Sequence, residues 1–152
     1  MEGGCACRTI RYRLTNTPPF THGCHCARRQ RETGSAFAMN ALIEAACVQV
    51  LSGKPETVDT PSNSGRGQII VRCPKCHVAL WSHYSGAGPK FAFVRVGTPN
   101  RPHSVNPDIH IFTSTKRSWV ILPEGAPAVP EYYEREAYWP EGALERRAAA
   151  LA

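Results

Sequence analysis

Apolar and polar residues alternate along this chain in many short runs. "RTIRYRL" (8–14) alternates and predicts a strand, which "TNTPPFTHG" interrupts. "ACVQVLSG" (46–53) alternates again before the turn "SGKPE". "QIIVRC" (68–73) predicts a strand that delivers Cys73 at its end, and "HVALWSHY" continues beyond the knuckle "CPKC". "KFAFVRVG" and "DIHIFTS" are rich in β-branched and aromatic residues and predict two further strands. "SAFAMNALI" fits a strand or a short helix, "RSWVILPEG" is short and apolar, and "TVDTPSNSGRGQ" (57–68) predicts a loop. Only "EGALERRAAALA" has a helical pattern, and it sits at the end of the sequence, where fraying is expected. The expectation is a mainly β, single domain over residues 1–152. It is built of about seven to nine short antiparallel strands with one or two short helices. No internal repeat or linker divides it.

Composition narrows the partners. Apolar residues make up 42% and charged residues 20%, as in ordinary globular proteins. No apolar stretch is long enough to span a bilayer, and "MEGGCAC" lacks the apolar run of a signal peptide. A cytoplasmic protein without membrane association is therefore expected. The formal charge of +6 permits an anionic partner. No lysine-rich tail or aromatic-interleaved basic run appears, so a small molecule is expected in preference to nucleic acid.

Seven cysteines change the picture more. Six fall in close pairs, Cys5/Cys7, Cys24/Cys26 and Cys73/Cys76, and Cys47 stands alone. Two thiolates on one tight turn can reach one ion, so paired spacing suits a metal better than a disulfide framework. The CxC of "GGCAC" and the CxxC of "RCPKCH" together offer four thiolates, enough for a closed tetrahedral zinc site of structural type. "CHCARRQRETGSAF" (24–37) opens like another knuckle, but Arg29 stands where a third thiol would be expected.

Taken together, "GGCAC" with "IRY", the "CHC…QRETGSAF" segment, "CPKC", "DIHIFTSTKRSWV" and "LPEG" resemble the glutathione-dependent formaldehyde-activating enzyme family. Centromere protein V-like proteins share that domain. The resemblance runs from Gly3 to about Arg147 and implies a zinc-stapled, mainly β fold. It implies a structural zinc on Cys5, Cys7, Cys73 and Cys76. It implies a second, catalytic zinc on a CxCxxC motif, whose first two thiols fall on Cys24 and Cys26 and whose third position is Arg29. Arg8 and His77 stand where the family usually has glycine. The implied activity is of carbon–sulfur lyase type. It joins a small thiol, glutathione, to formaldehyde, or acts on a related small carbonyl compound; a carboxylate substrate is expected from Arg29 alone.

Arginine offers no lone pair to a metal. Three readings of Arg29 stay open at this point: a solvent-facing side chain, an anion-binding guanidinium in a former metal pocket, or a second zinc completed by another ligand. His22, His25, Cys47 and the thiol substrate are the candidate substitutes, although His25 is expected to point away from the metal. Cys47 is expected to be a buried structural thiol. The corresponding functions are a family enzyme, a diverged member with a rebuilt site, and a non-enzymatic binding module. His110 should point opposite to Ile109 and Ile111, exposed or into a cleft. Gly34 and Ser35 predict a tight turn, and Trp81 and Trp119 core or cleft-wall positions. Tyr132, Tyr133, Tyr138 and Trp139 could cover the fold, line a pocket or form a homodimer contact.

Overall fold

The computed structural model describes residues 1–62 and 64–152. Ten strands form two sheets. The smaller sheet contains β1 (Glu2–Gly4), β2 (Arg11–Leu14) and β5 (Val48–Ser52), in the order β1-β2-β5. The larger contains β3 (Phe20–Cys24), β4 (Ala38–Glu44), β6 (Glu56–Thr60), β7 (Gln68–Arg72), β8 (Ala79–Tyr84), β9 (Phe91–Arg95) and β10 (Ile109–Ile111). Its order is β10-β3-β4-β9-β8-β7-β6. Every pairing is antiparallel except β10 with β3, which is parallel. The mainly β expectation agrees with this architecture.

Alternation along the strands gives the large sheet two working faces. On one face Ile43, Ala92, Val94, Trp81 and Val71 share a core with Ile10, Tyr12 and Leu14 from the small-sheet side. Burying this apolar face between the sheets is the main gain available to strands this short. On the other face, Phe20, Leu42 and Phe91 pack with Ile109, Ile111 and the C-terminal residues Tyr133, Trp139 and Ala143. Three helices complete the fold: α1 (Ala27–Thr33), the single turn α2 (Arg135–Tyr138) and α3 (Glu141–Leu151). α3 is the helix the pattern predicts.

Three expectations are corrected here. "TVDTPSNSGRGQ" is a loop only in part, because Glu56–Thr60 pairs with β7 along its whole length; its Asn63 lies outside the described residues. The segment after Cys26 is helical. Its apolar pattern is weak, but Cys26 caps the N-terminus by accepting from the Arg29 N–H, and Gly34 ends it in the left-handed conformation. Trp119 is 73% exposed, in neither core nor cleft, whereas Trp81 is a core residue as expected.

Gly23, having no side chain, leaves room for the ring of His110, its register partner on β10. A Cβ built there would lie 2.8 Å from His110 Nδ1. Gly23→Ala should therefore push β10 outward and cost about 1–3 kcal/mol, as overpacked cores do. Urea unfolding of the variant checks this, and an unchanged midpoint would show that β10 yields freely.

A candidate metal centre and an arginine-lined pocket

The two turns that follow β1 and β7 bring four cysteines together. The ligand atoms of Cys5, Cys7, Cys73 and Cys76 all lie within 4.8 Å of one another. Cys5 Sγ is 3.5 Å from Cys7 Sγ, and Cys7 Sγ is 3.7 Å from Cys73 Sγ. A tetrahedron of sulfurs about 2.3 Å from a metal has edges of about 3.8 Å, so the set fits a four-thiolate ion. Backbone N–H groups are already aimed at the sulfurs: Ile10 donates to Cys5 Sγ at 3.3 Å and Lys75 to Cys73 Sγ at 3.4 Å.

Cys24 and Cys26 are elsewhere. Alternation puts Phe20, His22 and Cys24 of β3 on the large-sheet face that carries Asn40, Leu42, Phe93, Arg95, Ser82, Tyr84 and Gln68. Over this face lies a cavity of about 510 Å³, with Cys24 and Cys26 on its wall. The C-terminal segment closes part of it: Tyr132, Trp139, Arg135 and Arg147 also line it. The two sulfurs are 3.6 Å apart, with Cys24 placed to donate to Cys26. That hydrogen bond lowers the Cys26 pKa to about 6, helped by the backbone N–H of Arg29 and its positive charge. Cys24 is raised by the same pairing and by burial. The two thiols thus hold one proton between them near neutral pH.

Arg29 is only 5% exposed, which overturns the solvent-facing reading. Its Nη1 donates to both carboxylate oxygens of Glu32 at 2.6 Å, and its Nη2 to Gln68 Oε1 at 2.9 Å. The guanidinium lies 4.9 Å from the centre of the Tyr84 ring. Glu32 also accepts from buried Arg95, which reaches Asn40 and Ser82 as well, and Gln68 Nε2 donates to Glu32 at 2.9 Å. Two buried guanidiniums thus share one carboxylate. Pairing of this kind lets charges stay buried. Asn40, Gln68, Ser82 and Arg95 carry no motif, and only the strand register brings them beside Arg29.

The proposed substitute ligands are engaged. His22 Nε2 is 2.5 Å from the Tyr133 hydroxyl, which also accepts from Trp139 Nε1. His25 points to the opposite face, as expected, where its Nε2 meets His110 Nδ1 at 3.0 Å against Phe37. His110 is buried, not exposed. Cys47 is half-buried against the inter-sheet core, near Val48 and Cys76. Among the described residues, no third His, Cys, Asp or Glu gathers with Cys24 and Cys26. Two thiols beside a paired guanidinium do not fit a catalytic zinc.

A family model described as glutathione-dependent formaldehyde-activating enzyme matches residues 1–115. The chain belongs to that family. No curated protein matches it. Among solved structures, a Rhodobacter sphaeroides protein, a structural-genomics target, is similar at 19% identity. The match covers 70% of this chain and 92% of that one with a TM-score of 0.51, a likeness of fold. The part matched by the formaldehyde-activating family model carries all seven cysteines and Arg29. The pocket wall made by Tyr132, Arg135, Trp139 and Arg147 lies beyond it. No helix of the chain is long and apolar enough to cross a membrane among the described residues.

The two smaller departures from the family pattern have a backbone meaning. Arg8 and His77, which close the two cysteine turns, have φ of 63° and 58°. Only glycine adopts this left-handed region without strain. Arg8→Gly and His77→Gly should each stabilise the fold by about 0.5–1 kcal/mol. Chemical denaturation of the two variants checks this; a loss of stability in both would refute it.

Burial lowers the pKa of both His22 and His25 to about 4, with help from Arg135 at His22 and from His110 at His25. The unfolded chain takes up protons at these groups below about pH 6.5, while the folded one resists until about pH 4. Their stabilising contribution is present above pH 6.5 and lost as pH falls through that window. Urea titrations at pH 7 and pH 5 should show lower stability at pH 5, and less of that difference in His25→Asn.

Proposed function

We propose that this protein is a carbon–sulfur lyase-type enzyme whose reaction centre is the Cys24–Cys26 pair. It acts on a thiol–aldehyde adduct or a related small carbonyl compound. Family membership supports the reaction class. The observation that carries the reading is the placement of both thiols, 3.6 Å apart and hydrogen-bonded, on the wall of a pocket of ligand size.

The chemistry runs on the chain's own groups. Cys26, the more acidic thiol, takes the proton of the substrate thiol. The substrate sulfur adds to the carbonyl carbon, forming the C–S bond as the carbonyl π bond breaks. The dithiol returns the proton to the carbonyl oxygen. One S–H is lost and one O–H gained, so atoms and charge balance, and the reverse sequence cleaves the adduct. A base with a pKa near the working pH suits this exchange. A pocket of this size would add proximity by holding both reactants beside the two thiols.

We assign the ion of the four-cysteine site to zinc. All four of its coordination positions would be filled by protein sulfur, so it would clip the fold and leave catalysis to the pocket. Seven unpaired thiols suit a reducing compartment, and the cytoplasm is the proposed location. Homodimerisation is not needed to complete the pocket.

Two measurements test the reading. Cys26→Ser should reduce the acceleration of adduct formation from formaldehyde and a small thiol by about tenfold or more, the range of a lost general base. Elemental analysis should find about one zinc per chain, unchanged by that substitution. An undiminished rate in Cys26→Ser, or a second zinc lost with it, would sink the proposal.

A further inference from the structure

This inference rests on the proposed site and concerns what the site accepts. The pocket wall includes Arg28, Arg29, Arg66, Arg135 and Arg147. Among its described residues there is no aspartate, glutamate or lysine. Arg28, Arg66, Arg135 and Arg147 have no carboxylate within 4.0 Å among the described residues. Arg29 is answered by Glu32, but Glu32 also answers Arg95, so that buried cluster is itself a cation. The arginines come from separate parts of the fold: α1, the β6–β7 connection, α2 and α3. A cavity with low-dielectric walls focuses a field of one sign. Between the guanidiniums the wall is aromatic, with Phe93, Phe112, Tyr132 and Trp139.

We propose that the ligand of this pocket is an organic anion with two or more negative charges, an apolar or planar body, and no ammonium group. Each part follows from the wall. Several guanidiniums without a carboxylate partner among the described residues call for more than one anionic oxygen cluster, and guanidinium forks bind phosphate or carboxylate bidentately. The aromatic surface calls for an apolar body to displace water from it. An ammonium group would lose hydration, meet no carboxylate and face several guanidiniums, with the Cys26 thiolate as the one opposite charge on the described wall. A phosphate monoester or a dicarboxylate bearing the reactive thiol or carbonyl has the matching chemistry. A zwitterionic peptide thiol such as glutathione, whose ammonium sits beside a carboxylate, matches less well.

Calorimetric titration of the full-length, metal-loaded Cys26→Ser protein at low salt and pH 8 tests this. The probes are phenyl phosphate, isophthalate, glutathione and inorganic phosphate. One of the first two should bind about tenfold tighter than either of the last two. Whichever leads identifies phosphate or dicarboxylate as the recognised group. Its affinity should fall about tenfold in Arg66→Ala or Arg28→Ala, at least one of which should fold normally because neither side chain is paired to a carboxylate. Glutathione binding as tightly as the aryl anions would overturn the exclusion of ammonium. Equal binding of inorganic phosphate would overturn the role of the aromatic wall. Unchanged affinity in both arginine variants, or no binding of any probe, would overturn the proposal as a whole. Binding is read without the Cys26 thiol, so a failed turnover assay leaves this result standing, and a failed titration leaves the thiol chemistry standing.

Discussion

The four-sulfur cluster is the contact on which the architecture turns. Cys5 and Cys7 leave the small sheet, while Cys73 and Cys76 sit between two strands of the large one. One ion at this point would join segments 66 residues apart between Cys7 and Cys73. It would do so at the edge of the apolar layer shared by the sheets, where Cys5 and Cys73 are themselves buried. Closing so long a loop is costly to an unfolded chain, and a metal that binds only the assembled set returns that cost as folding free energy. With one face of the large sheet fixed in this way, its other face can be given to a pocket whose residues are chosen for chemistry and not for packing.

β3 shows how that division is built. Its five residues are all buried, yet their environments alternate. His22 and Cys24 face the cavity. Gly23 faces the second strand pair and leaves room for His110. The result is two histidine environments separated by one peptide plane. One is tied to the aromatic C-terminal cap through Tyr133, and the other is a sealed pair with His25. The two ring nitrogens of that pair that point away from each other, His25 Nδ1 and His110 Nε2, have no hydrogen-bond partner among the described residues. Both rings are held neutral by burial, and their mutual contact supplies only one hydrogen bond for the pair.

Much of this was legible beforehand. The cysteine spacings marked the four-sulfur cluster, because a pair of thiols on one tight turn is a local property that short motifs encode. Alternating runs marked most strands, and the family motifs marked the knuckle at Cys24. What stayed hidden was non-local. Gln68 and Asn40 line the pocket, and Ser82 and Arg95 sit beside them, only because antiparallel register lays them side by side, and nothing within each segment announces it. α1 was missed because its seven residues carry no apolar stripe, and its stop signal, Gly34, was read only as a turn. Trp119 was misplaced because an aromatic residue is usually buried, and an exposed one has no signature in sequence. Arg29 could be recognised as a departure, but its burial depended on a carboxylate one helical turn away and on a strand 39 positions further along.

That last arrangement makes position 29 an interlocked one. Its guanidinium is clasped by Glu32 and Gln68, stacked on Tyr84, and coupled through Glu32 to Arg95 and Asn40. Returning a thiol there by a single exchange would leave the Gln68 carbonyl oxygen and an aromatic face without the guanidinium, while Arg95 and the Gln68 NH2 kept the carboxylate. The path between an arginine-bearing and a three-thiol pocket therefore runs through several coordinated replacements. The effect of any one of them depends on which of the others has already occurred. In this lineage of pockets, residue 29 is better regarded as one letter of a linked word than as an isolated substitution.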